Sequence, residues 1–219
     1  MKKGAYDKFL TFLLVVLVLA IIGGIGYLGY KLLEKNRIND DSDEFLEGDF
    51  QNYIDQIDDD EYDEENAIKE QTGDGKTRGI STNALKYKGY GVEGKLEMPS
   101  VNLQYPILEQ MTDMNELEVS IAIQYGVGLN KVGNTVLVGH NYRSGLFFGS
   151  NKRMNIGDVI YITDTATGNR VEYEIYNKYT TEEADTSYFN RDTAGKREVS
   201  LVTCQTDNHY RLVIWAREK

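Results

Sequence analysis

The chain has 219 residues, 27% charged and 41% hydrophobic, with a formal net charge of −11. That length accommodates one domain of about 150 residues plus accessory segments. No basic patch is visible, which argues against nucleic acid as a partner, and a single cysteine permits no internal disulfide.

In chain order, residues 1–8 carry Lys2, Lys3 and Lys8 and read as a cytoplasmic N-terminus. They precede "FLTFLLVVLVLAIIGGIGYLGY", Phe9 to Tyr30, 22 residues without a charge. At 1.5 Å per residue this is about 33 Å of helix, enough to cross the hydrocarbon core of a bilayer. A cleaved leader has a shorter apolar region, about 7–15 residues, before a small-x-small site. Residues 9–30 are therefore expected to be a retained transmembrane anchor, with the lipid bilayer as a partner. Lys31, Lys35 and Arg37 follow the span, so flanking charge barely decides its orientation.

Residues 31–75 read as an acidic disordered linker. Within them and up to Glu70, residues 40–70 hold fifteen acids and one lysine, whereas residues 71–219 hold 17 basic and 18 acidic side chains. The acidity thus belongs to the linker. A run of like charge with so few apolar residues is expected to stay extended and solvated.

The rest, 76–219, reads as one all-β domain. Short strands are marked by "GVEGKLEMP", "LQYPILE", "NTVLVGH", "GDVIYIT", "NRVEYEIYN", "REVSLVTC" and "RLVIWARE", with turn residues between them. "MNELEVSIAIQYG" has mixed apolar spacing and reads as a helix, capped by Thr112 or Asp113. Many short strands at close intervals imply an antiparallel sandwich or a closed barrel with one or two short helices. "NTVLVGH" is apolar on both faces, which places it centrally in its sheet. His140 ends it; such a histidine is more often a satisfied polar residue than a catalyst. His209 lies in a polar turn and is expected to be solvated there.

The last two strands flank "QTDNHY" and form a hairpin. With Gln205 to Tyr210 as its loop, Cys204 faces Arg211, Val202 faces Val213 and Ser200 faces Trp215, each pair about 5 Å apart on one side of the sheet. The opposite face, with Val199, Leu201, Ile214 and Ala216, is the one expected to be buried. The pairing of Cys204 with Arg211 is either incidental or functional, and an unpaired thiol in an exported chain favours function.

A strand-end histidine, a strand-end cysteine and a cross-strand arginine supply the parts for thiol acyl transfer. The attacking species is a thiolate, and a cysteine at its ordinary pKa of about 8.5 is mostly protonated at neutral pH. A nearby imidazolium and guanidinium favour the anion. The imidazole can protonate a leaving amine, and the arginine can donate to the oxyanion of a tetrahedral intermediate.

From Gly89 onward the chain resembles the sortase family of Gram-positive surface transpeptidases. "KLEMPSVNLQYPILE" resembles the family's first two strands, "GNTVLVGHNYRSGLFF" its histidine segment, and "SLVTCQTDNHYRL" its TLxTC-to-Arg segment, with Ser200 and Val202 in place of more usual residues. The resemblance implies a closed eight-stranded barrel, a membrane anchor with the catalytic domain outside the cell, and catalysis by His140, Cys204 and Arg211 without a cofactor or metal. It also implies cleavage of an LPXTG-like sorting signal between Thr and Gly. The acceptor amine would come from a peptidoglycan precursor or a pilin lysine. Thr203, beside the nucleophile, is expected to help shape the substrate groove.

"GHNYRSGLFF" resembles class B members, whereas "MNIGDVIYITD" and the short connection from Lys178 to Lys196 resemble classes A or D. The acids of "TEEADTS" are similar to a calcium site of some sortases, although isolated loop acids are usually just solvated. The alternative is a membrane-tethered β-barrel binding module in which Cys204 is incidental.

Overall fold

A computed structural model describes residues 3–59, 85–205 and 209–219. The chain divides into two compact units, Met1–Asp40 and Asp41–Lys219. Helix α1, Lys3–Phe45, contains the whole apolar stretch, and the side chains from Phe9 to Leu33 along it are largely uncovered by protein. By length and composition it is a helix able to cross a membrane.

In the second unit the helical path continues through a π-helical turn, Leu46–Phe50, into α2, Gln51–Asp59. This corrects the expected linker: residues 31–59 are helical, and apolar side chains between residues 45 and 57 are packed. Phe45, Leu46, Phe50 and Ile54 form one apolar stripe, buried against Tyr87, Val92, Leu108, Leu117 and Ala122. Glu44, Glu47, Asp49 and Asp55 point outward. A charge average conceals such a stripe, because the acids occupy only the solvent face of the helix. Lys88 Nζ meets Asp41 at 2.9 Å and Gln104 Nε2 donates to Asp43 at 3.0 Å, tying the helix to the strands. The expected domain start at residue 76 and the rest of the acidic run lie outside the described residues.

A two-residue strand, β1 (Lys86–Tyr87), pairs with β2 (Tyr90–Met98). The remaining strands are β3 (Leu103–Gln110), β4 (Ile121–Gly126), β5 (Gly133–Val138), β6 (Val159–Asp164), β7 (Arg170–Glu182), β8 (Arg197–Cys204) and β9 (Tyr210–Glu218). Their order is β2-β3-β4-β5-β8-β9-β7-β6, and pairing of β2 with β6 closes the ring. The barrel is closed and eight-stranded, as expected. It is not wholly antiparallel: β3 with β4 and β5 with β8 run parallel. Each parallel pair needs a crossover, since a tight turn cannot return a strand in the same direction. The first crossover contains α3 (Asn115–Val119).

That connection corrects a second expectation. "MNELEVSIAIQYG" is not one helix: α3 ends at Val119, and Ile121–Gly126 forms β4, a barrel strand. Of the two expected caps, Asp113 Oδ1 accepts from Asn115 N at 2.6 Å. Thr112 instead donates, through N and Oγ1, to the buried carboxylate of Glu116. The barrel interior is filled by Leu96, Ile107, Ile121, Leu137, Leu201 and Ile214, all fully buried.

Candidate active site

The β8–β9 register is the one read from the sequence. Ser200 pairs with Trp215, Val202 with Val213, and Cys204 with Arg211 as the last rung. Gln205 N donates to Tyr210 O at 2.8 Å just beyond it. The inward face carries Val199, Leu201, Ile214 and Ala216, buried as expected. The opposite face is also covered, contrary to expectation: Val202 and Val213 pack with Val136 and Tyr188, flanked by Tyr179, Phe189 and Trp215. Much of this cover comes from the β7–β8 connection, too irregular in pattern to be read as a packing layer. Arg191 in that connection pairs with buried Glu198, donates to Asn134 Oδ1 at 2.8 Å, and lies 4.2 Å from the Trp215 ring centroid. Cys204, half-buried, and Arg211 thus stand where a covered surface ends.

His140 arrives from the neighbouring strand. β5 runs parallel to β8 as far as the Val138–Val202 pair, so both chains leave the barrel at the same end. Three hydrogen bonds then lace residues 139–141 to residues 202–204. Gly139 N donates to Val202 O at 3.3 Å, Thr203 Oγ1 to Gly139 O at 2.7 Å, and Asn141 Nδ2 to Cys204 O at 2.7 Å. His140 is bracketed between the second and third. Glycine is needed at 139, where an added Cβ would lie 2.8 Å from Ile121 Cγ2 and 3.1 Å from the Phe148 ring. Thr203 borders the cleft, but its hydroxyl is committed to Gly139.

A cleft of about 610 Å³ opens here, and His140, Cys204 and Arg211 all line it, with Met114, Tyr142 and Glu183. His209 is exposed, as expected of a solvated turn residue, and also borders the cleft. Its carbonyl accepts from Glu183 N at 2.9 Å.

Two carboxylates that the sequence does not tie to the site meet its arginine and its histidine. Arg211, with a side chain only 17% exposed, donates through Nη2 to Glu183 Oε1 at 2.5 Å. His140 Nε2 lies 3.1 Å from Glu118 Oε1. Two acids of "TEEADTS" have protein partners. Glu183 holds Arg211, and Asp185 accepts from Thr181 Oγ1 and Ser187 N, contacts that hold its carboxyl below the ordinary range. Among the described residues no group of three or more His, Cys, Asp or Glu could hold a metal ion. Burial pushes the Tyr188 phenol up, so it stays neutral beside the site.

Asn141 and Glu118 had little signal to give in the sequence. The first works through a contact 63 residues away, and the second sits within a stretch read as continuous helix. Chemically, the arrangement presents a thiol, an imidazole and a guanidinium to one cleft, the first and last on paired strands and the imidazole on the segment laced to them.

Comparison with known proteins agrees with this geometry. The sortase domain family matches residues 96–219. Sortase A of Bacillus anthracis is 32% identical over 126 residues, covering 56% of this chain and 58% of that protein. Sortase A of Listeria monocytogenes is 28% identical, covering 57% and 54%. The matched region thus spans a little over half the length of these relatives. In fold, the chain is similar to sortase C of Streptococcus pneumoniae at a TM-score of 0.57 and 18% identity, covering 77% of this chain and 95% of that one. With the family model matching more than half of the chain, and with the barrel those neighbours share, the protein belongs to the sortase family.

Proposed function

We propose that the protein is a membrane-anchored cysteine transpeptidase that cleaves an LPXTG-like sorting signal between Thr and Gly. It would pass the acyl group to an amine of a peptidoglycan precursor or a pilin lysine. The observation that carries this reading is the pairing of Cys204 with Arg211 on the last rung of β8–β9, with His140 on the same cleft. The apolar part of α1 would hold the domain at the outer face of the membrane, with residues 1–8 inside.

The steps follow from what each group can do. The Cys204 thiol passes its proton to His140, and the resulting thiolate attacks the threonine carbonyl carbon as the electron pair of the C=O bond moves to oxygen. Arg211 donates to that oxyanion, a contact made only as the charge develops. Collapse breaks the Thr–Gly C–N bond, and His140 gives its proton to the departing glycine amine. A thioester on Cys204 remains. The acceptor amine then attacks it, His140 takes the amine proton, and the thiolate leaves.

Incubating the protein with an LPETG-containing peptide and mapping adducts by mass spectrometry tests this. A mass increase on Cys204 matching the acyl fragment, absent in a folded Cys204→Ala variant, is expected. Peptide cleavage that persists in that variant would overturn the reading.

A further inference from the structure

We propose that Glu118 is a positioning residue for His140, engaging the Nε2 side of the imidazole and leaving Nδ1 for the thiol. This rests on the transpeptidase reading above and concerns how its proton donor is held. His140 lies two residues beyond the end of β5, where no sheet hydrogen bonds fix its ring. Its Nε2 is buried, and among the described residues no aligned hydrogen bond reaches it. The Glu118 carboxylate oxygen at 3.1 Å is the group that faces it. An imidazole with one nitrogen so engaged has a defined choice for the other, which is how an acceptor selects a histidine tautomer and ring orientation.

A carboxylate can orient a ring only if it is itself held, and Glu118 is held twice. Its other oxygen, Oε2, accepts from Tyr142 Oη at 2.6 Å. The Tyr142 ring lies 5.2 Å from the imidazole centroid, so the three side chains touch one another in turn. The Tyr142 ring also packs 5.9 Å from the ring of buried Phe147, and the chain passes close to its backbone at Gly149, where an added Cβ would come within 2.2 Å of Tyr142 O. Behind Glu118, the five-residue α3 is pinned at both ends. Buried Glu116 accepts from Thr112 N and Asp113 N, Leu117 is buried, and Ser120 Oγ donates to Pro106 O at 2.6 Å. A short helix so anchored can serve as a rigid arm.

Exposure sets the size of the effect. Glu118 is 63% exposed and His140 25% exposed. Water screens a pair like this, so its value lies in orientation more than in attraction.

The test is made on the full chain in detergent micelles, labelled with ¹⁵N-histidine, with His209 as the internal reference. Wild type is expected to show a His140 ring whose Nε2 carries the proton. Glu118→Ala is expected to lose that preference while keeping its thermal midpoint. Peptide turnover should then fall about ten- to thirtyfold in kcat, with KM within about twofold. Glu118→Gln, which keeps an acceptor oxygen, should retain the tautomer and lose less. A His140 ring signature unchanged in Glu118→Ala would overturn the proposal, as would an unchanged kcat or a loss confined to KM. If wild type forms no adduct on Cys204, the transpeptidase reading fails. The ring signals still decide whether Glu118 holds His140.

Discussion

The site has two halves built by different means. Cys204 and Arg211 sit on adjacent strands of one hairpin and are joined by backbone register. His140, Glu118 and Glu183 come from three separate connections, after β5, in α3 and after β7. In the first half, sheet hydrogen bonds alone fix the relation between the two side chains. In the second, every relation is tertiary, and polar ties are needed to make it definite. The difference predicts which substitutions hurt by removing chemistry and which by loosening geometry.

The sharpest break of the comparison is between the two histidines. Both border the cleft, and His140 is laced to the Cys204 strand through its neighbours Gly139 and Asn141. His140→Ala is expected to lower kcat about a thousandfold, the scale of a lost proton donor. His209→Ala should stay within about twofold. Steady-state kinetics on a fluorogenic sorting peptide checks this, and reversed outcomes would mean that the wrong histidine had been assigned.

Within the hairpin half, Arg211→Lys keeps a positive charge and loses the planar fork. A directed donor to a developing oxyanion needs that fork. We expect kcat to fall about a hundredfold with little change in KM. Near-wild-type turnover would reduce Arg211 to a source of charge.

A third prediction concerns the packed acidic helix. Starting the chain at residue 41 should leave stability unchanged. Starting it at residue 60 removes Phe45, Leu46, Phe50 and Ile54 and uncovers Tyr87, Val92, Leu108 and Leu117. Each buried side chain of this kind contributes about 1.5–3 kcal/mol, part of which is offset by the entropy of ordering the segment. A net loss of about 3 kcal/mol should lower the thermal midpoint by roughly 6–12 °C. Because Leu117 precedes Glu118, the shorter chain should also lose a few-fold in kcat. Equal midpoints for the two chains would show that the helix is dispensable.

How much of this could be read from the sequence follows the same division. Seven strands, the central place of β5 and the Cys204–Arg211 rung were legible, because strand alternation and hairpin register are local properties. β4 was missed because "MNELEVSIAIQYG" has no glycine or proline to mark the break after Val119. Its Met114, Leu117 and Val119 spacing suggested helix straight through into the strand. The helix at 41–59 was missed because its acids outweigh its apolar stripe in any average. Glu118 and Glu183 were missed for a different reason. Neither the fold class nor local spacing says which acid will meet an arginine or histidine brought in by another strand. The Arg211–Glu183 contact joins residues 28 positions apart.

Glu183 provides the smallest test and bears most directly on the division. It takes no part in the reaction as drawn, and its carboxylate meets a reacting group through Arg211, at 2.5 Å. The carboxylate is 60% exposed, in contrast to the arginine it meets. An ion pair with one partner so open to water is worth about 0–1 kcal/mol, which corresponds to at most about a fivefold effect. The Arg211 backbone is already fixed by its rungs to Cys204 and Thr181, so the fork needs only slight guidance. Glu183→Gln is therefore expected to lower kcat by about two- to fivefold and leave the fold unchanged. Since the interaction is screened by salt, the gap between wild type and variant should narrow as ionic strength rises from about 0.01 M to 1 M. Measuring kcat for both proteins across that range checks the assignment. A loss of a hundredfold, or a gap insensitive to salt, would mean that the connection-borne half fixes Arg211 as firmly as the strand register does.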